Sequence, residues 1–344
     1  MNKSIMVGII GMIMSVAAFA GNGEQFFSLP DSVKANSVMV TVQPLYDDGV
    51  KDWEFTLTTL QLRLSLERNE GASGIVFGFP EGSTIISTGE GVMTEEKGGI
   101  RYKLDLKYFL NYSLMLSYAA DSAANFSLFS AYAYLPESKK WKLIGTCKAT
   151  GFFPNVLQPG ATWRGRRSGI TEPSIKEVWV QRTNGSWKNL LAEQRGGPNI
   201  NLAGHADSAV FADRDDKKIM DFISRGIPAE DVLQKNKLYY HIENSGDGKE
   251  IAVTDTVQVH YKGYLLETNE VFDQTTSEPR RFPLNRLIPG WQLGVPLVKT
   301  GGRIILVIPS HLGYNIRTRS PKIPPNSILV FEIEVLNTTP ALKK

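Results

Sequence analysis

The chain of 344 residues has a single cysteine, Cys147, so an intrachain disulfide is excluded. Cys147 lies in the strand-like run Trp141–Cys147 and reads as a small buried hydrophobe. Histidine is also scarce. His205, His241, His260 and His311 all follow residue 200, which argues against a His-rich metal site or His-based hydrolysis in the first two hundred residues. No surplus of one charge sign is present: 38 Lys and Arg against 35 Asp and Glu give a net charge of +3, too small for a nucleic-acid or anionic-membrane footprint. After residue 20 no apolar run is long enough to span a bilayer, so no transmembrane span is expected in the mature protein.

The first twenty residues read as a targeting segment. Lys3 supplies the positive start, Ile5 to Val16 the apolar core, and Ala18-Phe19-Ala20 the small-x-small signal for cleavage after Ala20. The mature chain is then expected to begin at Gly21 and to be exported to a bacterial periplasm or cell surface, where a disulfide-free protein is at home.

Residues 21–200 are expected to form an all-β sandwich of jelly-roll type. Trp53, Phe55 and Leu57 alternate with polar residues, and the phase then shifts to Leu60, Leu62, Leu64 and Leu66. The shift implies a bulge or two strands near Thr58-Thr59. Tyr112 to Tyr118 and Phe126 to Tyr134 give further period-two runs, Trp141 starts a return strand, and Asn184-Gly185 marks a hairpin before Trp187. Segment 153–173 shows no period and reads as a long loop. Five of the six tryptophans fall in this region. Together with Asn and Gln they make either a glycan- or protein-binding face or ordinary core packing. The runs around Trp141 and Trp179 resemble an uncharacterised family of bacterial extracellular β-sandwich domains, which implies no activity. Residues 201–236 read as a linker with a short helix from Asp213 to Arg225, with Ile219, Phe222 and Ile223 on one face and Asp215 and Asp216 in its first turn.

Residues 237–344 carry the most informative pattern. Val257-Gln-Val-His-Tyr261-Lys-Gly263 is followed by Val271-Phe272-Asp273, then by Phe282-Pro-Leu-Asn-Arg-Leu287-Ile288-Pro-Gly-Trp291. Next come Leu306-Val-Ile-Pro309, Leu312-Gly-Tyr314 and Ile323-Pro-Pro-Asn-Ser-Ile-Leu-Val-Phe331. This order resembles the FKBP-type peptidyl-prolyl isomerases. The resemblance implies an α+β domain, a twisted antiparallel sheet around a short helix near Gly290 to Leu297.

The resemblance also implies roles. Tyr261, Phe272, Asp273 and Tyr314 become the catalytic residues; Leu287, Ile288, Trp291, Ile323 and Phe331 line the pocket for substrate. Trp291 would floor the prolyl ring, the Ile288 N–H and Tyr314 hydroxyl would donate to substrate carbonyls, and Asp273 would orient its neighbours. Where the family has glycine after the tyrosine, this chain has Asn315, and Arg280 stands where family members often carry an aromatic. Rotation about an X-Pro amide needs no nucleophile, so no cofactor or metal is expected. The expected function is an exported isomerase acting on proline-containing polypeptides. The alternative is a non-catalytic surface scaffold whose pocket binds proline-containing partners and whose sandwich binds glycan or protein.

Overall fold

The computed structural model of the chain describes residues 23–341, except 28, 30–34, 45–51, 60–61, 96–97, 152–158, 166–172, 193–195, 227–232 and 318–319. The expected leader, its cleavage point and most of segment 153–173 lie outside the described residues. The chain is mostly β, with few helices.

Among the described residues three antiparallel sheets account for the strands. The first has the order Gly23–Phe26, Gly160–Gly165, Trp53–Thr58, Arg63–Asn69, Ala72–Gly78, Ile100–Lys103, Val92–Thr94. The second has the order Trp187–Asn189, Ser174–Arg182, Ala35–Gln43, Tyr112–Asp121, Phe126–Leu135, Lys140–Thr150, Thr84–Thr88. The phase shift at Thr58-Thr59 resolves as two strands: Trp53 faces Arg68 and Thr58 faces Arg63 across a hairpin.

Period two explains how the second sheet is buried on both faces. Val38, Val40, Val42, Leu114, Leu116, Phe129, Ala131, Ala133, Val178 and Val180 pack against Phe55, Leu57, Leu64, Leu66, Ile75 and Phe77 of the first sheet. The intervening Met39, Met115, Tyr132 and Trp179 point the other way, into a cluster with Trp141, Leu143, Leu202, Phe211 and Ile316. In strand Phe126–Leu135 the core between the sheets thus takes small Ala131 and Ala133, while bulky Tyr132 serves the outer face. Trp179, Trp141 and Trp163 are buried and Trp53 and Trp187 half-buried, which is the packing reading of the tryptophans. Cys147 is fully buried among apolar neighbours, and burial pushes its thiol up to about 12, so it is inert at neutral pH.

The helix α1 (Ser208–Gly226) begins five residues before the expected Asp213, so Asp215 and Asp216 are not in its first turn. The cause is tertiary. Phe211 is buried in the outer-face cluster of the second sheet, and the Phe211 N–H donates to the Asp207 carbonyl (3.0 Å). The Asp207 carboxylate accepts from Lys142 Nζ at 2.7 and 2.9 Å and from the Glu90 N–H at 3.2 Å. The far half of α1 lays Ile219, Phe222 and Ile223 on Tyr239, Val307 and Val330 of the third sheet and on Ile328 just before its last strand. One helix therefore packs on two sheets.

The third sheet has the order Leu233–Lys235, Leu238–Asn244, Arg303–Ile308, Leu329–Thr339, Thr256–Leu265, Val271–Gln274, with Arg280–Pro283 also pairing Thr256–Leu265. Its other face holds a second core of Val257, Val259, Tyr261, Ile304, Leu306, Phe331, Ile333 and Val335 with Trp291 and Val295. Helix α2 (Pro289–Gly294) lies against this core, and a 3-10 turn (Val295–Leu297) continues it.

Candidate functional site

Strand alternation builds the floor of a cleft. Val259, Tyr261 and Gly263 share one buried face of their strand, and register puts Phe331 opposite Gly263 and Ile333 opposite Tyr261. Glycine is needed at 263: a Cβ there would lie 2.6 Å from the Phe331 ring and 2.7 Å from the Phe272 ring. The two rings instead meet edge to face across it, with centroids 5.5 Å apart.

Helix α2 delivers the central indole. Ile288 is extended (φ −60°, ψ 151°), Pro289 presets the first helical residue, and the Ile288 carbonyl accepts from the Trp291 N–H at 3.0 Å. Trp291 is then buried at 4% exposure, with Phe331, Tyr261 and Phe282 standing nearly perpendicular to it at centroid distances of 5.2, 5.5 and 6.1 Å.

One polar cluster sits at the mouth. The Tyr261 hydroxyl donates to Asp273 Oδ2 at 2.6 Å. Arg280 Nη1 donates to the Tyr261 oxygen at 3.0 Å and to both Asp273 oxygens at 3.2 and 3.3 Å. Burial, then the Asp273 hydrogen bond and charge, push the Tyr261 phenol up to about 12, with Arg280 opposing. At neutral pH it is a neutral donor.

The cleft encloses about 480 Å³. Tyr261, Phe272, Asp273, Leu287, Ile288, Trp291, Tyr314, Ile323 and Phe331, the full set expected from the sequence, line it together. Three residues not expected there join them: Phe282, Arg286 and Ser320. Phe282 was visible only as part of a motif; its pairing with Val257 is what turns it to the cleft. Arg280, noted only as a departure, ties the tyrosine to the carboxylate. The arrangement is an aromatic slot with a few polar groups at its edge, suited to an apolar ring. Among the described residues no cluster of His, Cys, Asp and Glu could hold a metal.

Known proteins carry a similar segment. The chain is 45% identical over 109 residues to a probable FKBP-type peptidyl-prolyl cis-trans isomerase of Haemophilus influenzae, covering 31% of this chain and 45% of that protein. It is 45% identical over 108 residues to the FKBP-type peptidyl-prolyl cis-trans isomerase FkpA of Escherichia coli K12, covering 31% and 39%. With FkpA of Aeromonas hydrophila it shares 36% identity over 171 residues, covering 49% and 62%. The chain thus spans less than two thirds of the length of these curated relatives. The family match runs over residues 248–336, the stretch that supplies every residue lining the cleft. That stretch is an FKBP-type peptidyl-prolyl cis-trans isomerase domain.

Proposed function

We propose that the whole protein is an exported peptidyl-prolyl cis–trans isomerase acting on proline-containing polypeptides during their folding. The observation that carries this reading is the meeting of Trp291 and the eight other expected residues in one cleft. Uncatalysed X-Pro rotation crosses a barrier of roughly 20 kcal/mol, because the amide must lose its resonance. A catalyst has to bind the twisted amide better than either planar form. An apolar slot favours the less polar twisted carbonyl, and Trp291 gives the prolyl ring a surface to rest on. The Ile288 N–H and the Tyr314 hydroxyl are the proposed donors to substrate carbonyls. Tyr261, oriented by Asp273 and Arg280, fixes the slot's edge.

The first two sheets are inferred to form a β-sandwich of jelly-roll type, residues 21–200, that serves as a binding or docking module. Residues 237–344 are inferred to be the α+β isomerase unit. The leader-like residues 1–20, with cleavage after Ala20, support export to a bacterial periplasm or surface. Among the described residues no helix is long and apolar enough to cross a membrane.

The test is a prolyl exchange assay with the full chain and short X-Pro peptides. Acceleration above the spontaneous rate is expected, and Phe272→Ala should lower kcat/KM by about ten-fold, on the order of 1.4 kcal/mol of transition-state stabilisation. A spontaneous rate with folded protein would sink the enzyme reading and leave the cleft as a binding site for proline-containing partners.

A further inference from the structure

The segment that carries Tyr314 into the cleft is fastened from outside the isomerase domain. Three elements outside residues 248–336 hold it. From the second sheet, the Tyr132 hydroxyl donates to the Ile316 carbonyl at 2.8 Å, a buried bond spanning 184 residues of chain. The Ile316 side chain has no exposed surface and packs among Tyr132, Met115, Trp141 and Trp179 of that sheet. From the segment before α1, the Ala203 carbonyl accepts from Asn315 Nδ2 at 3.1 Å. From α1, the fully buried Asp215 accepts from the Ser310 N–H at 2.8 Å and the Ser310 hydroxyl at 2.5 Å.

Tyr314 therefore sits between Ser310 and Ile316, two residues gripped by other parts of the fold. The backbone between them is committed as well. Asn315 is in the left-handed region (φ 59°), its carbonyl accepts from the Asn326 N–H at 2.8 Å, and the Arg317 N–H donates to the Tyr314 carbonyl at 3.1 Å. Asparagine tolerates that backbone and adds what glycine lacks, an amide that reaches Ala203. The residue that departs from the family pattern is thus one of those that tie the loop to the rest of the chain.

We propose that the amino-terminal region is a working part of the isomerase site, with Tyr132, Asn315 and Ile316 as positioning residues that fix where the Tyr314 hydroxyl stands. This rests on the isomerase reading above. Displacing a positioning group by about 1 Å can cost up to ~100-fold in rate, so an anchor on each side of Tyr314 is a lever on catalysis. Separate packing of two independent units would need no hydrogen bond aimed at the backbone two residues from a cleft-lining tyrosine.

The experiment is a double-mutant cycle on the full chain, read by prolyl exchange kinetics. Tyr132→Phe keeps the buried ring and removes the donor. It is expected to lower kcat/KM about five-fold, the rate equivalent of one hydrogen bond of ~1 kcal/mol. In a Tyr314→Phe background the same change should have no further effect, because the hydroxyl it positions is gone. A merely structural role would lower both backgrounds alike. Equal losses in the two backgrounds, or an unchanged kcat/KM in folded Tyr132→Phe protein, overturn the proposal.

Should Tyr132→Phe fail to fold, Asn315→Gly, which suits the positive φ, takes its place under the same cycle and the same two criteria. If the wild-type chain shows no isomerase activity, the functional reading above falls by itself. The cycle is then read by calorimetric affinity for a proline-containing peptide. A drop for Tyr132→Phe confined to the Tyr314 background supports the positioning role, and unchanged affinity removes it.

Discussion

At the scale of residues, Tyr261, Asp273 and Arg280 work as a unit. Asp273 and Arg280 are half exposed, at 46% and 51% of their side chains, so their ion pair is screened and adds little stability. Its value is directional: it holds the Tyr261 hydroxyl at the cleft edge. Asp273→Asn should therefore lower kcat/KM a few-fold while shifting stability by no more than ~1 kcal/mol, measured by exchange kinetics and urea unfolding. A loss of stability several times larger would show that the carboxylate is structural. Tyr261 also predicts an alkaline effect. Its phenol titrates higher in the folded chain, near 12, than its ordinary value of about 10. The folded state then holds the proton more tightly, so this contribution is complete below pH ~10 and is lost as pH rises toward 12. Tyr102, Tyr239 and Tyr264 are raised as well, each by burial first. Tyr261→Phe should flatten, not abolish, the fall in unfolding free energy above pH 10.

At the scale of elements, α1 decides how the pieces meet. Its Asp215 has no exposed surface and answers Ser310 and the Arg214 guanidinium (2.8 Å), while Arg214 also donates to the Asn326 carbonyl at 2.9 Å. Asp215→Ala would leave buried donors without an acceptor, at a cost of about 3–5 kcal/mol. Urea unfolding of the full chain should show that loss, whereas Asp221→Ala, whose partner Arg225 is exposed on the same helix, should change stability by less than ~1 kcal/mol. Equal effects would mean that Asp215 does not hold the seam. The helix also shows why its start was misplaced in the sequence. The apolar face at Ile219, Phe222 and Ile223 has helical spacing and was legible, but Phe211 lies beyond that stripe and is helical because the second sheet covers it.

At the scale of the molecule, the junction between sheets carries two histidines with lowered affinity for protons. His205 is pushed down chiefly by burial, with Asp207 and Asn315 opposing and Lys142 and Lys140 assisting. His311 is pushed down chiefly by burial, with Asp215 and Asp216 opposing and Lys237 assisting. The unfolded chain binds protons at these sites more readily than the folded one. Their contribution is therefore complete above the ordinary value of about 6.5 and is lost as pH falls below it. Unfolding free energy should decline from pH 7 to 5, and His205→Gln should shallow that decline. An unchanged slope in the variant would exclude His205 as a source.

By itself the sequence determined the inventory: which strands alternate, that no intrachain disulfide can form, and a motif order that resembles the FKBP-type isomerases. These are local matters of period, turn chemistry and motif order, and one chain records them in full. What only the tertiary structure decided is everything that depends on residues distant in sequence. Alternation at Val38 to Val42 shows that two faces exist but not that both are buried, because the covering Phe211 and Ile316 come from far along the chain. Asn315 reads as an exception to a family pattern, and its reach to Ala203 exists only once α1 has brought that segment alongside. Tyr132 reads as one aromatic in a strand. Its hydroxyl becomes a grip on the loop of Tyr314 because the sheet sets it 2.8 Å from a carbonyl 184 residues away. Side-chain period is a property of neighbours in the chain, whereas a hydrogen bond between sheets is a property of neighbours in space.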